Sequence, residues 1–430
     1  MNKFLNIKLN DKRIIRAWAF FDWANSAFAL VISVAIFPAY FLQTTPDVIP
    51  MFGMHINNSA LFSYTISFAY LIIVIALPFL SGLADYSGRR KAFLRTFTWL
   101  GSISCMLLFF FTGVHTLWIG ILAFMGAQIG FDGGKVFYNS YLPIISTPDR
   151  YDKVSAQGFA YGYFGSVLLL VVNLMMIQFP SFFGLPDGDL PARISFLMVG
   201  VWWIGFAQIP FRQLPPDRIR PTKSIVREGM DRIKIALRVL WPQKQMTRFL
   251  AAFFFYSAGV QTVLFLAATF AEKELDFSTA NLIILILILQ IVAIGGAYLF
   301  AWISKIKNNK TALILMLIIW MGVCVLAYYV QDPVQFYLVA MLVGLVMGGI
   351  QSTSRAAYSK LLEGQEETHL NSFYSFYEVL EKAAIVFGTF SFGLIDQLSG
   401  SMRNSVLALG IYFIIGLVLL IGVPFKKARA

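Results

Sequence analysis

Charged side chains interrupt several long apolar stretches of this sequence, and they are its best candidates for chemistry. The first is Asp22, in a stretch whose other polar side chains are Asn25, Ser26 and Ser33. A charge inside a membrane helix costs roughly 3 kcal/mol or more unless it faces protein or water, so it is functional by default. Asn25 and Ser26 follow Asp22 by three and four residues, which puts them on the same helical face. That face is expected to line a transport cavity.

A second apolar stretch carries Asp132, Lys135 and Asn139. Their offsets of three and seven residues place them on one face of a helix. Counted from the ends of their helices, Lys135 and Asp22 lie at about the same depth, roughly 12 Å. We therefore hypothesise that Asp22 and Lys135 form an ion pair, which either switches during transport or only fixes the register of two helices.

A third stretch carries Glu378, Glu381 and Lys382. Glu378 precedes Lys382 by four residues, the order that favours an ion pair within one helix. Glu381 and Lys382 approach the middle of the membrane, the depth at which transporters bind substrates and ions. Arg355, near the end of an earlier stretch, either reaches Glu378 as part of a gate or extends its charge to the membrane surface.

Carboxyl groups that alternate between apolar surroundings and water can take up and release protons. The candidates for proton coupling, the first and last foremost, are Asp22, Asp132, Glu378 and Glu381. The side chains expected to line the cavity and contact a solute are Asn25, Ser26, Lys135, Tyr138, Asn139, Gln261, Gln351, Tyr377 and Lys382. Because both signs of charge are present, a zwitterionic or weakly anionic solute suits this cavity better than a lipophilic cation.

The sequence has no comparable arrangement for catalysis. His55, His115 and His369 fall in or beside loops, far apart, and neither a nucleophile elbow nor a phosphate-binding loop occurs. Cys105 and Cys324 lie inside apolar stretches and cannot provide a disulfide framework. We therefore expect neither an enzyme nor a metal or other cofactor.

The elements that must position these residues are membrane helices. Hydrophobic residues make up 58% of the chain, charged residues only 13%, and the mean hydropathy of +0.71 requires lipid as a solvent. The first apolar run is too long for a signal peptide and is expected to stay uncleaved. Hydropathy predicts about twelve spans, at residues 14–43, 60–84, 92–113, 115–143, 154–180, 193–213, 246–271, 278–304, 310–330, 333–361, 370–397 and 402–425.

The basic residues predict the orientation of these spans. With the N-terminus inside, all but five of the 34 lysines and arginines lie on the cytoplasmic side. The exceptions are Arg193, Lys273 and Arg403 outside, and Lys135 and Lys382 within spans. The positive-inside rule therefore places both termini in the cytoplasm. The net charge of +12 is accounted for by this topology and does not indicate nucleic-acid binding.

One long polar segment divides the predicted spans into two groups of six. We expect an N-terminal six-helix bundle over residues 1–214, a cytoplasmic basic amphipathic connector over 215–245 and a C-terminal six-helix bundle over 246–430. The connector is expected to lie on the membrane surface or across the two halves, with a regulatory role or as a plain linker. Six plus six helices is the layout of transporters built from two pseudo-symmetric halves.

The loop after the second span, Ser81–Lys91, has a Gly-rich turn with one acid and three bases. It resembles the cytoplasmic loop motif of the major facilitator superfamily, although Ser81 replaces the usual Gly and Tyr86 the usual Arg. Its acid can face a helix N-terminus and hold neighbouring helices together. The expected gate residues are Asp85, Gly88, Arg89, Arg90 and Arg355. The corresponding loop at residues 303–310 lacks the acid and the glycine, so a second such contact is expected to be degenerate.

Further motifs resemble the vacuole effluxer-like family of that superfamily, which includes the autophagy-related amino acid effluxers. They are Phe21–Phe28, Phe37–Phe41, Val136–Pro143, Gly158–Tyr163, Gly349–Arg355, and Phe376–Tyr377 followed by Lys382. The resemblance covers nearly the whole chain. It departs at Ala258, where the family often has Asp, so a coupling role at that position is in doubt.

The resemblance implies an all-α integral membrane protein with the major facilitator fold. We expect a secondary active transporter of a small polar solute, an amino acid or a similar molecule, working by alternating access and coupled to protons. A facilitative channel or scramblase, or a non-transporting receptor on the same fold, is the alternative. The expected partners are the solute, protons and the lipid bilayer. We expect a multi-pass monomer, in the inner cell membrane if the source is bacterial.

Overall fold

The computed structural model describes residues 8–51, 53–219, 238–275, 277, 279–399 and 401–423. Long helices dominate it. The first, α1, runs from Lys12 to Thr44 and contains a π-helical segment, Phe28–Ile36. The other long helices are α2 (Asn58–Ser87), α3 (Arg90–Leu107), α4 (Leu117–Asn139), α5 (Tyr151–Gln178), α6 (Leu190–Gln213), α7 (Lys244–Leu275), α8 (Thr279–Ile306), α9 (Asn309–Tyr329), α10 (Pro333–Leu361), α11 (Leu370–Ser399) and α12 (Met402–Ile421).

Within the described ranges, ten of these helices are long and apolar enough to cross a membrane. Two more long helices, α7 and α11, stand at their expected places in the chain. The predicted spans and the observed helices differ mainly at their ends. The structure extends α2 to Ser87, where Gly88 closes the helix with a φ of 69°, a left-handed conformation that suits glycine.

A short β-hairpin, which hydropathy did not predict, connects α1 and α2. Its antiparallel strands are β1 (Val48–Met51) and β2 (Met54–Asn57), with Val48 opposite Asn57. The connector predicted over 215–245 lies largely outside the described residues, because residues 220–237 are not among them. Its described beginning, residues 215–219, is not helical.

We call α1–α6 the N-terminal bundle and α7–α12 the C-terminal bundle. In the first, α1 packs on α5 and α6, and α3 packs on α4. In the second, α8 packs on α10, and α7 packs on α12. Each bundle buries large side chains of its own, such as Trp203 against Phe28 and Trp320 against Phe413.

The two bundles meet along two pairs of faces. In one, α5 packs against α8 and α10; in the other, α11 packs against α2 and α4. These faces carry nearly all the ionisable residues that the sequence places inside apolar stretches. The fold therefore brings acids and bases from distant parts of the chain to one interface.

Candidate functional site

Five ionisable side chains form a central ion network between α4 and α11. The Lys382 ammonium lies 2.7 Å from the Asp132 carboxylate and 3.3 Å from that of Glu381. The Lys135 ammonium lies 3.2 Å from Glu381 and 3.4 Å from Glu378. Two residues come from the N-terminal bundle (Asp132 and Lys135) and three from the C-terminal bundle, so the network joins the two.

Amide side chains complete this network. Gln128 donates to Asp132 at 2.6 Å, Asn139 donates to Glu378 at 2.9 Å, and Gln261 donates to Glu381 at 3.2 Å. Sequence reasoning missed Gln128, although its position one helical turn before Asp132 could have identified it. It also missed Tyr70 of α2, whose ring lies 5.7 Å from the Lys382 ammonium.

Exposure distinguishes the members of the network. The side chains of Lys135 and Glu381 are 24% and 13% exposed, whereas those of Asp132 and Glu378 are 0% and 1% exposed. Lys135 and Glu381 are therefore the members of the network whose side chains keep the most accessible surface. Gln261, which donates to Glu381, is also partly exposed.

A second cluster surrounds Arg355 of α10. Its guanidinium group donates to the Ser155 hydroxyl at 2.9 Å and the Ser155 carbonyl at 2.8 Å, and to the Asn139 side-chain oxygen at 3.1 Å. It lies 3.4 Å from the Asp22 carboxylate, which also accepts from the Tyr138 hydroxyl at 2.8 Å. Arg355 thus crosses from the C-terminal bundle to α1, α4 and α5.

Aromatic rings enclose the same guanidinium group. The rings of Trp18, Tyr138 and Phe159 have their centres 4.9, 5.5 and 4.2 Å from it. Trp18 and Tyr138 stack at 4.4 Å. Gly158 makes this arrangement possible, because a Cβ there would lie 2.8 Å from atoms of Arg355, Asp22 and Tyr138. The sequence alone singled out neither Trp18 nor Phe159 for this site.

These contacts correct three predictions. Asp22 does not pair with Lys135, because Arg355 takes that position and Lys135 turns to the glutamates of α11. Arg355 neither reaches Glu378 nor extends to the surface, since its side chain is only 4% exposed. Lys382 pairs with Asp132 rather than with Glu378. Depth along a helix can be counted from sequence, but the direction in which each helix faces depends on packing between the bundles.

The remaining predicted cavity residues have different surroundings. Gln351 accepts a hydrogen bond from the Tyr163 hydroxyl at 2.7 Å, which joins α10 to α5. Tyr377 stacks on Phe253 at 4.1 Å inside the C-terminal bundle and is buried there. Asn25 is buried, and its side-chain oxygen has no hydrogen-bond partner among the described residues. Ser26 is partly exposed and lies against α5, where a Cβ on Gly162 would collide with its hydroxyl.

The end of α2 and the start of α3 form a contact with α11 that we call the α2–α11 latch. The Asp85 carboxylate accepts from the backbone and side chain of Asn371 at 3.2 and 2.8 Å. It also accepts from the backbone and hydroxyl of Ser372 at 2.8 and 2.7 Å. Arg90 donates to the Asn371 side-chain oxygen at 2.9 Å, whereas Arg89 is exposed. A buried carboxylate thus caps the start of α11, where the helix dipole favours negative charge.

The loop at residues 303–310 supplies no acid to a second contact, but an acid from another element completes one. In what we call the α5–α10 latch, Asp152 lies 2.5 Å from the Lys360 ammonium and accepts from the Asn309 amide at 2.5 Å. Lys360 also donates to the Asn309 oxygen at 2.6 Å. The acid comes from the first turn of α5, not from the loop between α8 and α9 where the sequence motif would place it.

Hydrogen bonds and ion pairs between the described residues of the two bundles concentrate at one end. That end carries both latches, the Arg355 cluster and, furthest inward, the central ion network. In the described ranges no group of three or more His, Cys, Asp or Glu side chains could hold a metal ion. The two bundles are therefore held together at one end, with paired acids and bases buried between them.

Comparisons with known proteins identify the family of this chain. Residues 10–430 match the family model described as vacuole effluxer Atg22 like. The MFS-type transporter YxiO of Bacillus subtilis is 30% identical, over 95% of this chain and 94% of its own length. Autophagy-related protein 22-1 of Aspergillus clavatus is 26% identical, over 89% of this chain and 77% of its own.

Solved structures show the same fold at low sequence identity. The human organic anion transporter MFSD10 superposes with a TM-score of 0.74 at 12% identity, covering 96% of this chain and all of that one. The major facilitator superfamily transporter FucP, in its outward conformation, gives 0.69 at 13% identity, covering 96% and 99%. The chain therefore belongs to the Atg22-like vacuole effluxer family, as a multi-pass membrane transporter of the major facilitator superfamily and not an enzyme.

Proposed function

We propose that this protein is a proton-coupled secondary transporter of a small zwitterionic or weakly anionic solute. It works by alternating access as a monomer in the cell membrane, with twelve spans and both termini in the cytoplasm. The positive-inside distribution of lysine and arginine supports this orientation. The end that carries the latches then faces the cytoplasm, and the structure corresponds to a state closed on that side.

The observation that carries this proposal is the charge balance of the central ion network. It contains three carboxylates, Asp132, Glu378 and Glu381, but only two ammonium groups, Lys135 and Lys382. A charge buried at mid-depth in a membrane protein must be paired or neutralised. One proton on one carboxyl group would make the whole network neutral.

Glu378 is the carboxyl group best suited to carry that proton. It is 1% exposed, and it shares Lys135 at 3.4 Å with Glu381, which is closer to the same ammonium. Its Oε1 accepts from Asn139, and its Oε2 faces the Lys135 ammonium at 3.4 Å without a hydrogen bond of normal geometry. The groups facing Glu378 also include the Asp132–Lys382 pair. Asp22 and Glu381, foremost on sequence grounds, both lie beside cations that already balance them.

Lys135 and Glu381 are suited to contact the solute, because their side chains are the most exposed of the network. A carboxylate of the solute can approach the Lys135 ammonium, and an ammonium group can approach Glu381, with Gln261 beside it. Each approach would weaken the Lys135–Glu381 contact at 3.2 Å and alter the charge felt by Glu378. Solute binding and proton binding would then be coupled through one shared lysine.

The decisive experiment is flux in proteoliposomes with an imposed pH gradient, after a thermal-stability screen of amino acids, peptides, sugars and nucleosides identifies a ligand. The wild type should accumulate the solute with saturable kinetics in response to the gradient. Glu378→Gln should abolish accumulation by the gradient yet retain exchange of labelled for unlabelled solute, because the variant mimics the protonated state. Exchange needs no net proton movement.

The matched control is Glu274→Gln, which removes a carboxylate paired with Arg403 inside the C-terminal bundle, away from the network. It should leave the response to the pH gradient intact. If Glu378→Gln still accumulates solute in response to the pH gradient, Glu378 does not carry the coupled proton. A solute flux through the wild type that rises linearly with solute concentration would indicate a channel rather than a transporter.

A further inference from the structure

The N-terminal bundle contains a complete binding site for an organic cation, and the chain fills it with its own Arg355. We propose that this cage, formed by Asp22, Asn139, Ser155 and the rings of Trp18, Tyr138 and Phe159, binds a guanidinium or primary ammonium group once Arg355 withdraws. Arg355 is then an internal ligand that keeps the site occupied while the cytoplasmic side is closed. The inference rests on the alternating-access motion of the proposed function, but it can be tested without transport.

The first argument is that the cation and its acceptors belong to different bundles. Arg355 is on α10, whereas the acceptors named above belong to α1, α4 and α5. The acceptors therefore stay together when the bundles move apart, and only the cation leaves. A site whose acceptors all belong to one rigid body, and whose ligand belongs to the other, is emptied by a rigid-body motion.

The quality of the site is the second argument. All three nitrogens of the guanidinium group donate a hydrogen bond, at 2.8–3.1 Å, and the Asp22 carboxylate neutralises the charge at 3.4 Å. Aromatic faces attract cations most strongly when the cation is removed from water. Arg355 is 4% exposed and has three such faces around it. Gly158 keeps the wall open where any side chain would collide with the bound group.

The third argument is that withdrawal of Arg355 would leave Asp22 without a counter-ion. Arg355 lies six residues before the end of α10, roughly 9 Å along the helix from the latch end. Separation of the bundles at that end would expose the cage to the cytoplasm. Asp22 would then lack its counter-ion while still among aromatic rings, a costly situation for a carboxylate. A cation from the cytoplasm that offers N–H donors replaces both the charge and the hydrogen bonds of Arg355.

The test uses Arg355→Ala, which leaves a space shaped like the missing group, and methylguanidinium as the probe. The purified full-length variant in detergent should be less heat-stable than the wild type. Methylguanidinium should raise its unfolding midpoint saturably, by about 2 °C or more. Methylammonium should act more weakly because it fills less of the space, and neutral urea should not stabilise the variant at all. The wild type, whose cage is filled, should not respond.

Two control variants make the result specific. Asp22→Asn/Arg355→Ala keeps the space but lacks the carboxylate, and it should not respond to methylguanidinium. Arg403→Ala removes another arginine, which lies 2.8 Å from the Glu274 carboxylate and 5.6 Å from the Phe270 ring but joins helices of one bundle. Equal stabilisation of Arg403→Ala, or a response that survives the loss of Asp22, would overturn the proposal.

If Arg355→Ala does not fold, Asp85→Asn provides the test with Arg355 in place. That variant weakens the α2–α11 latch and should let Arg355 leave the cage part of the time. Methylguanidinium should then raise its midpoint, and Asp22→Asn/Asp85→Asn should show no rise. Absence of a rise in Asp85→Asn would reject the cage. Stabilisation without any solute flux would instead support the cage and reject the transport proposal.

Discussion

The two latches hold the same pair of bundles together, but they use different chemistry. In the α2–α11 latch, Asp85 accepts four hydrogen bonds from uncharged donors at the start of a helix. In the α5–α10 latch, Asp152 pairs with the charged Lys360, whose side chain is 23% exposed. One contact depends on the geometry of a buried helix end, and the other depends on an ion pair that water can reach.

The comparison also shows how this chain departs from two-fold symmetry. A symmetric second latch would place its acid at the end of α8, in the C-terminal bundle, facing the start of α5. The structure instead places Asp152 in the first turn of α5 itself, opposite donors on α9 and α10. Asp22 is likewise a carboxylate of the N-terminal bundle that faces a donor, Arg355, of the C-terminal bundle. In the two latches and at Arg355, the N-terminal bundle therefore supplies the carboxylate and the C-terminal bundle supplies the donors to it. The central ion network also has the opposite arrangement, with Lys135 of the N-terminal bundle beside two glutamates of the C-terminal bundle.

The largest effect is expected when both latches are weakened at once. Asp85→Asn/Asp152→Asn should shift the population towards the state open at the latch end. A cysteine at Ala156, which is buried beside Ala297 and Ala301, can report that opening after Cys105 and Cys324 are replaced. Its labelling rate by a membrane-impermeant maleimide should rise about 100-fold or more, because contributions from separate contacts add. Labelling unchanged from that of the parent would mean that neither latch limits opening.

A smaller effect is expected for each latch alone, and the two should differ. Asp85→Asn should raise labelling about 30-fold, because the new amide group faces four donors and leaves several without an acceptor. Asp152→Asn should raise it about 5-fold, because Lys360 keeps the Asn309 oxygen at 2.6 Å and water on its exposed side. The same assay measures both variants, and the reverse order would show that the ion pair is the stronger contact.

Sequence reasoning identified the acid and base of the α2–α11 latch, though not its partner helix, because their motif is contiguous. Asp85, Gly88 and Arg90 lie within six residues of one another, so their spacing alone indicates a tight turn with an acid and a base. The residues of the α5–α10 latch come from three separate elements, and no local spacing connects Asp152 to Asn309 or Lys360. Contacts that depend on how two bundles meet cannot be found from the pattern of one segment.

The same limit explains the candidate site. The positions of the charges along each helix were predictable, since helical periodicity places Asp132, Lys135 and Asn139 on one face. The partners of these side chains were not predictable, because a small rotation of one helix about its axis changes which side chains of the neighbouring helices they meet. Arg355 shows this most clearly: it lies near the end of its helix, as expected, yet its side chain inserts among the rings of α1, α4 and α5.

The smallest expected effect is also the one that separates the two chemistries most directly. Salt screens charges that water can reach and hardly affects buried hydrogen bonds to uncharged donors. In Asp85→Asn the bundles are held mainly by the α5–α10 latch. Raising the ionic strength should therefore increase the labelling rate of the reporter cysteine about 2- to 3-fold, as for a partly exposed ion pair. In Asp152→Asn the bundles are held mainly by the α2–α11 latch, and the labelling rate should change little with ionic strength. An equal response of the two variants would mean that Lys360 contributes through packing and hydrogen bonds rather than through its charge.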